Sequence, residues 1–184
     1  NNVYATVEDK HGNIWVATYG GGVNLITTTN DGGYKLHNSN NTLKDFPKNT
    51  YIKIRDIATD KEGNIWAGTT DGLIIMSYKD GKISHKVVEQ HPDPKYRMQC
   101  NDVVSLGCHP DGTMWIGTNG GGLSHCLGKD ENGHYMFDNI GCKDGLPSEE
   151  IKGLAFDQDG NIWLSTYHTI CSVEPQKRIV TIYS

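Results

Sequence analysis

The chain has 184 residues, 17 of them basic and 22 acidic, for a net charge of −5 at neutral pH. That length suits one domain, and the scattered Lys and Arg leave no footprint for nucleic acid or an anionic membrane surface. No apolar run approaches the roughly 18 residues of a membrane span, and nothing at the start reads as a signal peptide.

The first predicted strand covers residues 3–8. Asp9-Lys-His-Gly-Asn13 follows as a turn, because Asp bonds its own backbone and Gly takes positive φ without steric cost. A second strand, Ile14-Trp-Val-Ala17, leads through Thr18 into the turn Tyr19-Gly-Gly-Gly22. A third apolar run, Val23-Asn-Leu-Ile26, and a looser fourth, Tyr34-Lys-Leu-His37, complete the series.

The series restarts at residues 54–59, with Asp60-Lys-Glu-Gly-Asn64, Ile65-Trp-Ala-Gly68, Thr70-Asp-Gly72 and Leu73-Ile-Ile-Met76. It restarts at residues 103–108, with His109-Pro-Asp-Gly-Thr113, Met114-Trp-Ile-Gly117, Asn119-Gly-Gly-Gly122 and Leu123-Ser-His-Cys126. The last copy begins at residues 151–156 and runs through Asp157-Gln-Asp-Gly-Asn161, Trp163, Tyr167-His-Thr169 and Ile170-Cys-Ser-Val173 to residues 178–183.

All four tryptophans occupy one repeat position, at intervals of 51, 49 and 48 residues. A period near fifty marks a stacked supersecondary unit, and four antiparallel strands per unit make a propeller blade. The fold class is therefore all-β: a β-propeller of four sequential four-stranded antiparallel blades, at about 3–50, 51–100, 101–149 and 150–184. No stretch holds an apolar stripe of helical period, so almost no helix is expected. Small residues stand two before each Asp site (Val7, Ala58, Gly107, Ala155) and two after each Trp (Ala17, Gly68, Gly117, Ser165), where blades crowd toward the axis. The tryptophans are expected to pack between neighbouring blades.

Little points to catalysis. The eight histidines show no metal-site spacing, so neither a metal nor any other cofactor is expected. The Gly-Gly-Gly stretches occupy equivalent turns and lack the strand-to-helix setting of a phosphate loop. Five cysteines form no Cys-x-x-Cys pair; Cys108, Cys126 and Cys171 read as small buried hydrophobes, while Cys100 and Cys142 fall in loops. The residues that break the repeat are more informative. The turn after each second strand and the connection into the next blade open on one side, and there the chain places Tyr19, Tyr51, Tyr96, Arg97, Asn119, Tyr167 and His168. Aromatic faces and polar groups around a concave mouth suit a sugar.

The phrase Asp-x-x-Gly-Asn-Ile-Trp-x-Gly-Thr-x-x-Gly-Leu, with Asp144-Gly-Leu-Pro-Ser148 ahead of the fourth copy, resembles the two-component regulator propeller repeat. The resemblance spans essentially the whole chain. It departs at His109, which replaces Asp, and at Ser165 and Thr169, which replace Gly; the last two put the local turn geometry of the fourth copy in question. The resemblance implies a piece of a seven-bladed propeller, in the periplasmic sensor region of a hybrid two-component system whose histidine kinase lies outside this chain. It implies a non-enzymatic role: detecting oligosaccharides to regulate glycan-utilisation genes. Implied partners are an oligosaccharide and either the remaining blades or a second copy, with no nucleic acid or membrane contact by this segment. A protein-binding scaffold is one alternative. A streptogramin-lyase-like enzyme is another, since those propellers carry a similar Asp-Gly-Asn-Ile-Trp phrase, with shorter repeats and a catalytic His.

Overall fold

A computed structural model describes residues 2–88 and 90–183. Sixteen strands form four antiparallel sheets, each ordered as its strands occur in sequence. The first blade holds β1 (Asn2–Glu8), β2 (Ile14–Tyr19), β3 (Gly22–Thr28) and β4 (Tyr34–His37). The second holds β5 (Ile54–Thr59), β6 (Ile65–Thr69), β7 (Gly72–Lys79) and β8 (Lys82–Val87). The third holds β9 (Val103–Cys108), β10 (Met114–Thr118), β11 (Leu123–Lys129) and β12 (Tyr135–Ile140). The fourth holds β13 (Gly153–Phe156), β14 (Ile162–Ser165), β15 (Ile170–Glu174) and β16 (Ile179–Tyr183). Among the described residues, helix is confined to three short 3-10 turns in the blade connections: Asn49–Ile52, Pro94–Tyr96 and Cys142–Asp144. This is the all-β propeller architecture expected from the repeat.

The first strand of each blade lies against the first strand of the next, so β1, β5, β9 and β13 line the axis. Close approach there requires small residues. A Cβ on Gly68 would stand 2.4 Å from the Val103 side chain, and one on Gly117 would stand 2.7 Å from Ile151.

The Asp-x-x-Gly turn has one construction in blades one, two and four. The Asp9 carboxylate accepts from the backbone N–H groups of His11 and Asn13, from Asn13 Nδ2 and from Trp15 Nε1, at 2.9–3.0 Å. Asp60 and Asp157 receive Trp66 Nε1 and Trp163 Nε1 at 2.9 Å in the same way. The turn glycine is left-handed in every copy, with φ of 79° at Gly12, 88° at Gly63 and Gly112, and 81° at Gly160. These bonds explain why Asp, Gly and Asn recur: together they fix a tight turn and anchor a large aromatic.

Blade three differs. His109 Nδ1 still accepts from the Asp111 N–H, but its Nε2 reaches across to the Gly160 carbonyl of blade four, at 2.8 Å. Buried Trp115 Nε1 is left without a hydrogen-bond partner among the described residues. The Trp115 ring is stacked on His125 instead, with centroids 3.9 Å apart.

Three apolar clusters fill the gaps between blades one and two, two and three, and three and four. Trp15, Trp66 and Trp115 anchor them and are 0%, 3% and 2% exposed. Trp163 has no fifth blade beside it among the described residues; it is half-buried and stacks on Tyr183 of its own sheet, 5.1 Å away. Cys126 and Cys171 are buried, Cys100 and Cys108 half-buried and Cys142 exposed, all as free thiols.

Candidate functional site

Each blade closes its second turn with a threonine hydroxyl. Thr18, Thr69 and Thr118 donate to the carbonyls of Gly22, Gly72 and Gly122 at 2.8–3.0 Å. In blade four Thr166 Oγ1 likewise donates to the Thr169 carbonyl, at 3.3 Å, and also meets Thr169 Oγ1 at 2.8 Å and accepts the Thr169 N–H. The absent glycine is replaced by a hydroxyl pair, and the turn is retained. The residue after each threonine, namely Tyr19, Thr70, Asn119 or Tyr167, stands at one end of the axis lined by the inner strands, the mouth.

The inner strands supply the other half of this mouth. Register shifts occur between Val3 and Ala5 and between Ile54 and Asp56, and β10 shifts against β9 between Gly117 and Thr118. A bulge leaves one residue unpaired and re-aims its side chain. Tyr4, Arg55 and Val104 hold that place; the matching repeat position in blade four is Lys152, just ahead of β13, whose N–H bonds the Ser165 carbonyl. The bulge residues therefore join the turn residues at one end of the axis.

A continuous row of contacts crosses the blades there. The Tyr19 ring has Tyr4 at 5.7 Å, with the Lys53 ammonium at 5.9 Å and the Arg55 guanidinium at 6.0 Å from its centroid. Arg55 Nη1 donates to the Asp102 carboxylate, which also accepts from Asn119 Nδ2 at 3.1 Å. Asn119 Oδ1 receives Lys152 Nζ at 3.0 Å. The same ammonium lies 3.8 Å from the Tyr167 ring centroid and 3.6 Å from the Glu150 carboxylate. Tyr167 itself is 69% exposed.

One layer deeper, the Asp56 carboxylate accepts the Leu106 N–H at 2.9 Å and the Ser105 hydroxyl at 3.2 Å. Ser105 Oγ in turn accepts the Leu154 N–H at 3.3 Å. Burial pushes the Asp56 carboxyl above the usual carboxylate range, against the pull of those bonds and of the Ile57 N–H. This belt ties blades two, three and four together beneath the row and holds the inner strands in register.

Of the residues expected to share one face, the structure joins Tyr19, Asn119 and Tyr167 in the row. His168 follows Tyr167 on the exposed turn, with ring centroids 6.3 Å apart. Tyr51 belongs to a turn at this end, whose Ile52 and Lys53 meet Gly20 and Tyr19, while Tyr96 and Arg97 are elsewhere, which corrects the expectation of one shared surface for those two. Tyr51 sits in the Asn49–Ile52 turn and packs, half-buried, on the core between blades one and two. Tyr96 lies at the opposite end of blade three. The β11–β12 hairpin has Leu123 opposite Ile140 at the mouth and Lys129 opposite Tyr135 at the far end, and the Tyr96 ring packs 5.5 Å from His134 beside Tyr135. Its hydroxyl bonds Asp130 of the same far turn. Arg97 follows, sending Nη1 back to the His91 carbonyl at 3.4 Å. The connection from β8 to β9 thus descends along the outer edge of the propeller. It lines a groove of about 570 Å³ with His91, Tyr96 and His134.

Lys53, Arg55 and Lys152 were not among the residues expected at the mouth, whereas the connection ending at Asp102 was. A signal was present: Tyr4, Arg55, Val104 and Lys152 each follow the residue that begins the repeat's inner strand, and three of the four are large aromatic or cationic residues.

The two-component regulator propeller family matches residues 1–20, 48–71, 98–120 and 145–168, once per blade, each match ending in the turn at the mouth. The chain belongs to this family. No curated protein matches it in sequence. Among solved structures, these regulator propeller blades are similar to the extracellular domain of the candidate hybrid two-component system BT3049 from B. thetaiotaomicron. There the identity is 21% and the TM-score 0.72, over 100% of this chain and 23% of that one. The corresponding domain of BT4673 from the same organism gives 20% identity and a TM-score of 0.74, over 98% of this chain and 25% of that one. Virginiamycin B lyase from Staphylococcus aureus is also similar, at 15% identity and a TM-score of 0.64, over 98% of this chain and 55% of the lyase. At these identities the likeness is one of fold. The regulator propeller blades span about a quarter of the length of the two sensor domains.

Proposed function

We propose that this chain is a ligand-sensing segment of the periplasmic sensor region of a hybrid two-component system, and that its mouth receives oligosaccharides. Signal output then belongs to a histidine kinase elsewhere in the parent polypeptide, acting on genes for glycan use. Family membership and the shared fold with extracellular domains of candidate two-component systems support the sensor part. Virginiamycin B lyase shares the fold too, so the fold alone does not separate sensing from catalysis.

The row from Tyr19 to Tyr167 carries the ligand part of this reading. It presents tyrosine faces for the apolar side of a pyranose, interleaved with amide, ammonium, guanidinium and carboxylate groups that answer hydroxyls. The belt beneath holds β5, the inner strand that carries Arg55, and hydrogen bonds tie Asp102, Asn119 and Lys152 to one another, which limits the entropy lost on binding.

The test is calorimetric titration of oligosaccharides into the complete natural polypeptide's sensor region, alongside transcription from its target genes. Tyr167→Ala and Tyr19→Ala should each weaken binding several-fold to about tenfold, the worth of one aromatic stacking contact. Unchanged affinity in both variants would remove the mouth from ligand binding.

A further inference from the structure

The charge along the row is more than hydroxyl recognition needs. Of its five charged side chains, three are cations (Lys53, Arg55, Lys152) and two are anions (Asp102, Glu150), in a chain whose net charge is −5. Asp102 is occupied by Arg55 and Asn119. Glu150 forms an ion pair with Lys152 at 3.6 Å, so the cation left without a carboxylate among the described residues is Lys53. Lys53 is exposed and has no carboxylate partner among the described residues; Asp71, the remaining nearby acid on its side, is held by the Thr50 hydroxyl at 2.8 Å. The two turn tyrosines of the row thus each have an ammonium beside the ring: Lys53 at Tyr19 and Lys152 at Tyr167.

We infer that the mouth selects anionic oligosaccharides whose pyranose rings bear carboxylate groups. This rests on the function proposed above and names its substrate class. A uronate ring offers an apolar face for tyrosine and, on the ring carbon at its edge, a carboxylate for the adjacent ammonium. A neutral sugar would use the ring face and leave the Lys53 charge unanswered. A charge-assisted bond to Lys53 is the strong kind of polar contact and supplies the discrimination. The two tyrosine–lysine pairs, joined by the Arg55–Asp102–Asn119 bridge, suit a chain of several residues rather than a monosaccharide.

The decisive comparison uses the complete natural polypeptide's sensor region and three probes. These are oligosaccharides of galacturonate, glucuronate, mannuronate and guluronate, the same chains after reduction of their carboxyl groups to alcohols, and sulfated neutral oligosaccharides. The expected result is binding of a uronate chain that weakens about tenfold or more on carboxyl reduction, and by a similar factor in Lys53→Gln, with recovery in Lys53→Arg. Affinity should also fall as salt is raised from low to physiological strength. Lys53 is exposed, so its variants keep the fold, and an unchanged thermal unfolding curve checks that. Lys152→Gln supplies a second reading from the other end of the row. Equal affinity for the native and reduced chains, indifferent to Lys53→Gln, would overturn this inference while leaving oligosaccharide sensing intact. Binding of the sulfated probe alone would overturn the carboxylate assignment. No binding of any oligosaccharide, charged or neutral, would overturn the proposed function itself.

Discussion

Trp15 and Trp115 hold equivalent positions and are both almost fully buried. They differ in one hydrogen bond and in the stacking of Trp115 on His125. Partial loss of that stacking offsets about 1 kcal/mol of the difference between their phenyl variants. Trp15 Nε1 donates to the Asp9 carboxylate at 3.0 Å, whereas Trp115 Nε1 has no partner among the described residues because His109 stands where Asp would accept it. Replacing either indole with phenyl removes similar volume and leaves a similar void, so the packing penalty is shared. Trp15→Phe additionally loses a bond to a charged acceptor, about 1.5–3 kcal/mol. Trp115→Phe instead removes a buried unpaired donor and relieves about 1–3 kcal/mol. The two variants should therefore differ by about 3 kcal/mol after that offset, with Trp15→Phe the less stable. At a denaturant slope of about 2 kcal/mol/M, that separates their urea midpoints by about 1–2 M. Urea titration followed by far-ultraviolet circular dichroism and the remaining tryptophan fluorescence reads the difference directly. Equal losses would mean that the Asp–Trp bond contributes nothing net and that the recurring Asp serves the backbone turn alone.

Two further outcomes follow from the blade geometry. Gly68→Ala places a methyl group 2.4 Å from Val103 and 2.8 Å from Leu106, so it should cost about 1–3 kcal/mol through overpacking between blades two and three. Gly81→Ala, with nothing within 4 Å of its Cβ, separates that from backbone strain alone, since Gly81 has a φ of +76°. Acid should destabilise the fold through its turns. Asp157 is drawn down to about 2 by the Trp163 and Asn161 bonds, and Asp9 is held below the usual range by bonds from Trp15, Asn13 and His11 that outweigh its burial. Their folded pKa values lie below the unfolded ones, so their stabilisation is complete above about pH 5 and is lost as pH falls from about 4 toward 2. Asp56, raised by burial, acts in the opposite sense as it takes up its proton. Urea midpoints from pH 6 to 2.5 should fall, with a shallower slope in Asp157→Asn.

The framework was legible because each of its parts is local. A turn that needs Asp, Gly and Asn at fixed offsets, followed by an indole that the same Asp holds, writes itself into ten consecutive residues in three copies, and the remaining one, at His109, keeps the Gly and the Trp. The taper of small residues was equally readable, since Gly68 and Gly117 stand where the next blade's inner strand presses closest. The mouth was legible only in part. Tyr19, Asn119 and Tyr167 sit at a fixed offset from a turn threonine, so repeat position alone located them. Arg55 acquires its role from a bulge at the start of the inner strand, which depends on pairing geometry rather than residue type, and Lys152 from its place just ahead of β13. Tyr51 and Tyr96 were harder to place because an aromatic residue in a connection has two uses. Tyr51 covers the core, and Tyr96 follows a connection that runs down the outer edge before returning to the axis. Path, unlike periodicity, is not encoded in spacing.

The same repeat logic bears on what surrounds the two end blades. Ile65, Ala67 and Met76 on one face of blade two are 1%, 0% and 1% exposed, because blade one covers them. Their counterparts in blade one, Ile14, Val16 and Ile26, are half-buried, and Leu36 and Tyr34 on the same face are 49% and 78% exposed. At the other end Trp163 is half-buried where Trp15, Trp66 and Trp115 are covered, with Ile170, Ile179 and Tyr183 open around it at 53%, 47% and 46%. Nine of the ten large exposed hydrophobic residues lie in these two blades, so apolar exposure is concentrated where a neighbouring blade is missing from the described residues. Covering the exposed half of Tyr34, Leu36, Ile170, Ile179 and Tyr183, at roughly 1 kcal/mol each, is worth about 5 kcal/mol. That is at the lower end of the whole net stability of a domain. The 184-residue chain by itself should therefore associate through its end blades, whereas further blades of the same polypeptide would cover those faces internally. Sedimentation velocity across micromolar concentrations tests this. Association is expected for the chain alone and should be lost in Tyr34→Glu or Ile179→Glu, which place a charge on one face or the other. A well-folded monomer at every concentration would show that a half-covered blade is stable against water, and that the buried repeat positions do not require a neighbour.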